Sequence, residues 1–162
     1  MRAILSHQSA LEYYRTHGTP GEKTLPGETS SLRELGTLAT GMSQLASLEL
    51  PIQGLSAPFH LLVPTATGRS RSKTIVAHVW SGAIARHSLV TTSDEGLLVS
   101  SPEFTLLQLS GPPQPHGSDD DKRLYERLDP SDPLRPIDDP DRWAIDSREV
   151  LLARIAMELL GT

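Results

Sequence analysis

Residues 95–110, EGLLVSSPEFTLLQLS, decide the predicted fold because a strand pattern passes directly into a helix pattern. Residues 96–100 form a short apolar run that is typical of a buried strand. Ser101, Pro102 and Glu103 then supply a capping hydroxyl, a proline at the first helical position and an acid in the first turn. The stretch therefore predicts a strand followed at once by a leucine-rich helix that ends at about Leu109.

Outside this stretch, the remaining strand patterns lie together in the middle of the chain. Short apolar or β-branched runs occur at 59–63, 74–80 and 88–92. Apolar residues at three- and four-residue spacing predict helices at 4–16, 31–47 and 146–160. Because strands and helices are segregated along the chain, we predict an α+β fold with a small, mostly antiparallel sheet, flanking helices and a Pro/Asp-rich connector.

The predicted organisation has four parts: a helical N-terminal segment (1–50), an α+β core (51–110), an acidic connector (111–142) and a C-terminal helix (143–162). Seven prolines between positions 112 and 140 exclude a long helix or central strand there. Residues 117–146 carry ten acids and five bases, which accounts for the whole net charge of −5. We expect a solvated loop, with an acidic surface for a basic partner as the alternative.

Composition excludes several classes of protein. The 162-residue chain has no cysteine, which excludes a disulfide scaffold, a thiolate zinc site and a cysteine nucleophile. No apolar run approaches the ~20 residues of a membrane helix, and the N-terminus lacks a signal-peptide pattern. We therefore expect a cytoplasmic protein with no membrane partner.

Catalytic motifs are absent from the sequence. It contains no glycine-rich phosphate loop and no G-x-S-x-G, and its predicted strands carry no acid followed by acid-x-lysine, the spacing of metal-dependent nucleases. His60, His78 and His87 lie in or beside neighbouring predicted strands, where convergence could create a metal site. Isolated surface or strand-edge histidines are the expected outcome. We predict no enzyme activity, catalytic residue, cofactor or metal site.

A basic stretch, GRSRSK at 68–73, is the best candidate for binding. Arg69, Arg71 and Lys73 stand among hydroxyl side chains, a combination that suits nucleic-acid phosphates. Arg86 would join them if its strand paired with the one before it. The alternative is a solubilising hairpin tip.

Residues 59–110 also carry a resemblance to a known family. The pattern comprises FHLLV, the basic stretch, IVAHVW, and EGLLVSSPEFTLLQLS. It resembles the C-terminal domain of AbiEi-type antitoxins of type IV toxin–antitoxin systems. The equivalent region also occurs upstream of very-short-patch-repair-like nuclease domains in bacterial proteins. Two positions differ from the family pattern, since the family often has arginine at the position of Phe104 and aspartate at the position of Gln108.

The resemblance implies a non-catalytic, antitoxin-like module that associates with DNA and regulates transcription. The phosphate contacts would come from Arg69, Arg71, Lys73 and Arg86, and the expected partners are DNA and a toxin or other protein. One alternative is the accessory N-terminal portion of a nuclease-like protein whose catalytic domain is absent from this chain. The other is a protein-interaction domain.

Overall fold

The computed structural model describes residues 1–18, 29–65, 73–110 and 146–160. The connector at 111–142 therefore lies outside the described residues, as do Arg69 and Arg71. The strands are β1 (Ala3–Leu5), β2 (Thr29–Ser31), β3 (Phe59–Val63), β4 (Ile75–Val79), β5 (Ala83–Ala85), β6 (Leu89–Thr91) and β7 (Leu97–Ser100). The helices are α1 (His7–His17), a 3-10 helix (Leu32–Leu35), α2 (Met42–Ser47), α3 (Pro102–Leu109) and α4 (Asp146–Leu160).

The central sheet has five strands in the order β4-β3-β1-β7-β6. Strand β1 is antiparallel to β3 and parallel to β7, while β6 is antiparallel to β7 and β4 is parallel to β3. Strands β2 and β5 form a second, antiparallel pair. Three of the five pairings are thus antiparallel, and the predicted α+β class is confirmed.

The parallel pairing of β3 and β4 excludes a hairpin between them. The two strands point the same way, and adjacent parallel strands are not joined by a tight hairpin turn. Residues 66–72, which include most of the basic stretch, lie outside the described residues. The alternative interpretation of the basic stretch as a hairpin tip was therefore wrong.

The prediction of a helix from residue 4 was wrong at its start, because Ala3–Leu5 form a strand. All three residues are fully buried, between β3 on one side and β7 on the other. A strand buried on both faces is continuously apolar, and in so short a run this pattern cannot be distinguished from a helix. The segment 1–50, predicted to be helical, thus supplies the middle strand of the sheet as well as α1 and α2.

The predicted helix at 31–47 was also wrong over most of its length. Only a 3-10 turn, Leu32–Leu35, and the short α2, Met42–Ser47, are helical. Gly36 ends the first at a φ of 85°, and Gly41 caps the second in an extended conformation. Glycine adopts a positive φ without steric cost, so Gly36 can end the 3-10 turn and keep it separate from α2.

Alternating side chains give the sheet two apolar faces. One face packs with α1 and α4 around Leu11, Leu61, Val99 and Ile155. The other contains Ile4, Leu62, Leu98 and Phe104, together with Leu32 from the 3-10 turn. Helix α4 thus docks on the same core as the sheet. Within the described ranges, no helix has the length and hydrophobicity needed to cross a membrane.

Candidate functional site

One end of the central sheet collects polar residues at the ends of all five strands. The carboxyl ends of the parallel β1 and β7 meet there with the amino ends of β3, β4 and β6. Three backbone hydrogen bonds close this end: Ser6 N to His60 O (2.9 Å), Phe59 N to Thr74 O (2.7 Å) and Ser101 N to Ser88 O (2.7 Å). We call the end marked by Ser6, His60, Thr74, Ser88 and Ser101 the polar end.

Two of the predicted phosphate-binding cations, Lys73 and Arg86, flank the polar end. Lys73 is exposed and directly precedes Thr74 at the β4 side. Arg86 is exposed and lies two residues before Ser88 at the β6 side. Strands β4 and β6 are four strand spacings apart, or about 19 Å.

Arg86 does not join Lys73 in one compact cluster. The pairing that would have brought them together is absent, because β5, which Arg86 follows, pairs with β2 in the second sheet. The structure therefore places the two cations at the same end of the sheet but on opposite sides of it.

An open groove of about 660 Å³ lies beside Arg86. One wall is the turn before β6, with Arg86, His87 and Ser88, and the other is the first two turns of α3. Ser101 caps that helix, since its Oγ accepts a hydrogen bond from Phe104 N at 3.2 Å. Leu107 is 62% exposed along the groove, whereas Phe104 is buried and packs edge-on against Trp80.

Three histidines meet near the polar end: His60 lies in β3, His7 follows Ser6, and His78 lies further along β4, opposite Leu62. The rings of His7 and His78 stack with centroids 3.6 Å apart. His60 is fully buried, and its Nδ1 lies 2.8 Å from Nε2 of His78. Of the three residues named for a metal site, His60 and His78 thus come together, whereas His87 is exposed in the turn beside the groove.

His7 takes the third position and was missed by the sequence reasoning. It begins α1 one residue after β1, and its φ of 48° is positive. Its backbone N–H donates to Gln108 Oε1 at 3.1 Å, and its Nδ1 lies 3.1 Å from Ser6 Oγ. Only the recognition of 3–5 as a strand beside β3 would have brought His7 close to His60.

Two rings of the histidine cluster, His7 and His78, are uncharged at neutral pH. Burial, together with smaller contributions from the neighbouring His78 and His60, lowers the pKa of His7 to about 2. Burial also lowers the pKa of His78 to about 4. His7 and His78 therefore add no positive charge beside the polar end, and Lys73 and Arg86 are the exposed cations that flank it.

A metal role for the cluster finds no support in its geometry. The described part of the chain contains no group of three or more His, Asp or Glu side chains placed to hold a metal ion. Two stacked, nearly parallel rings direct their nitrogens side by side rather than towards one point. The three rings instead connect the start of α1 to β3 and β4.

The chain matches no family model, no curated protein and no solved structure.

Proposed function

We propose that this chain is a non-catalytic, antitoxin-like regulatory module that binds DNA through the phosphate backbone in the cytoplasm. The observation that carries the proposal is the exposure of Lys73 and Arg86 at the two sides of the polar end. The resemblance of residues 59–110 to antitoxin domains supports the same function. That region supplies β3 to β7 and α3.

Local charge favours phosphate as the ligand of this surface. Residues 64–74 contain three cations, Arg69, Arg71 and Lys73, and no acid. Hydroxyl side chains from serine and threonine alternate with them and can donate to phosphate oxygens. Since the chain carries a net charge of −5, binding should be modest and should fall steeply with added salt.

The test is a salt series with the purified chain and a mixed-sequence DNA duplex. Each phosphate contact contributes about 0.9 to the slope of log affinity against log salt concentration. The triple variant Arg69→Ala/Arg71→Ala/Lys73→Ala should therefore lower that slope by about 3, and Arg86→Ala by about 1. Arg2→Ala is the matched control, because Arg2 is exposed just before β1, at the opposite end of the same sheet.

Absence of binding at low salt would contradict the proposal, as would an equal loss of affinity in the Arg2→Ala control. Either result would favour the protein-interaction alternative. Apolar side chains on α4 support that alternative, since Met157 and Leu160 are 53% and 45% exposed although the same helix packs on the core.

A further inference from the structure

Strand β4 forms one edge of the central sheet. The hydrogen bonds from Phe59 N to Thr74 O and from Trp80 N to Val63 O fix the orientation of its backbone. In this parallel register, the even-numbered residues of β4 direct their N–H and C=O groups towards β3. Ile75, Ala77 and Val79 direct theirs outward, and within the described ranges no strand pairs with that side.

The sequence of β4 lacks the features that usually keep an edge strand from pairing. Its five residues, IVAHV, include no proline, glycine or charged residue, and three of them are β-branched. Val79 is 39% exposed at the end of the strand. The opposite edge, β6, is only three residues long. Of the two edges, β4 therefore offers the longer and more apolar surface for strand addition.

We infer that β4 pairs antiparallel with β4 of a second copy of this chain, about a two-fold axis at Ala77. A two-fold axis normal to the sheet is the arrangement in which one edge can pair with itself. The outward N–H and C=O groups of Ala77 then meet their own counterparts, and those of Ile75 meet Val79 of the second copy. The two five-stranded sheets become one continuous sheet.

The side chains of β4 are compatible with this self-pairing. Ile75 lies opposite Val79 of the second copy, and β-branched cross-strand pairs stabilise antiparallel ladders. Val76 lies opposite His78, whose pKa is lowered by burial, so that no charge enters the ladder at neutral pH. Lys73, the nearest cation, lies outside the paired segment and faces Ser81 rather than the other Lys73. The edge is therefore complementary to itself in this register, which is why we assign a second copy as its partner, and the inference does not depend on DNA binding.

The first test measures the wild-type chain alone, by light scattering and amide hydrogen exchange over a range of concentrations. The mass should rise from that of one 17.6 kDa chain to twice that value. The amides of Ile75, Ala77 and Val79 should become protected from exchange over the same concentration range in which the mass rises. Those of Val76 and His78 should be protected at every concentration. A monomer at every concentration would overturn the inference, as would protection of the outward amides in the monomer.

The second test uses the symmetry of the pairing. Ala77→Lys and Ala77→Glu each place two like charges on the two-fold axis, so each variant alone should remain monomeric. An equimolar mixture should recover the dimer, because opposite charges then meet. Ala83→Lys is the matched control, since Ala83 is exposed on β5 in the other sheet, and it should leave the dimer intact.

Persistent dimers of either single variant would place the interface elsewhere, and a mixture that stays monomeric would exclude the axis at Ala77. Circular dichroism establishes that each variant is folded. If both charged variants unfold, the amide exchange of the wild-type chain decides the question by itself.

Discussion

The imidazole rings of His7 and His78 stack at 3.6 Å with an angle of 14° between their planes. One ring begins α1 and the other belongs to β4, so the contact joins the first helix to the edge of the sheet. His60 extends the group through its Nδ1, 2.8 Å from His78. Burial keeps His7 and His78 neutral, which makes the stability of the fold sensitive to acid.

We predict that the free energy of unfolding falls as the pH drops below about 6.5, the pKa of an unperturbed histidine. The pKa values of folded His7 and His78 are lowered to about 2 and about 4, so the unfolded chain takes up protons that the folded chain does not. The stabilisation that results from these two lowered pKa values is fully present above about pH 6.5. Most of the part that comes from His78 is lost between about pH 6.5 and 4. Urea unfolding at several pH values measures it.

His78→Gln should make the pH dependence between 6.5 and 4 shallower, because one buried titrating ring is removed. His17→Gln is the control, since His17 is an exposed residue at the end of α1. Equal slopes for wild type and His78→Gln would show that carboxylates alone cause the acid sensitivity.

Tyr14 and Thr105 share one acceptor, the backbone carbonyl of Ser100. The Tyr14 hydroxyl donates to it at 2.5 Å and the Thr105 hydroxyl at 3.1 Å, both buried. Burial, with the nearby charge of Glu103, raises the pKa of Tyr14, so its hydroxyl stays protonated and donates. Tyr14→Phe and Thr105→Val should each cost about 0.5–1.5 kcal/mol, since one donor remains in each variant.

The double variant should cost more than the sum of the two, because the Ser100 carbonyl then loses both donors. A double-mutant cycle by urea unfolding gives this coupling directly. Strictly additive losses would mean that the carbonyl does not depend on these hydroxyls.

Phe104 occupies the core of the second sheet face, where it is 6% exposed and contacts Trp80 edge-on. Phe104→Ala should therefore cost roughly 3–5 kcal/mol, as large deletions in a core do. Leu107→Ala on the same helix should change stability far less, because that side chain is 62% exposed. A loss below about 1 kcal/mol for Phe104→Ala would be inconsistent with its packing.

Helix α4 is held by apolar packing more than by charge. Ile155 is fully buried, whereas the Arg15–Glu158 ion pair at 2.7 Å has side chains that are 20% and 35% exposed. Ile155→Ala should cost about 2–5 kcal/mol, and Glu158→Ala about 0–1 kcal/mol. Denaturant unfolding of the two variants makes the comparison, and a larger loss for Glu158→Ala would reverse this assignment.

Local sequence patterns predicted the elements whose signals lie within a few neighbouring residues. The cap and first turn of α3 follow from Ser101, Pro102 and Glu103, and the structure contains that helix from Pro102 to Leu109. Strands β3 and β4 were likewise predicted within a residue at each end. Their direction relative to each other was not predictable, because the order and sense of strands depend on contacts between distant segments.

The sequence by itself determined the α+β class, the concentration of the net negative charge in residues 117–146, and which cations are candidates for contact with phosphate. Tertiary structure alone decided that residues 3–5 form the central strand, that Lys73 and Arg86 share one end of the sheet, and that His7 stacks on His78. The physical reason is that a cap or a periodic apolar face is encoded within one or two turns of chain. Burial on both faces of a sheet, by contrast, requires partners from β3 and β7, which no local pattern specifies.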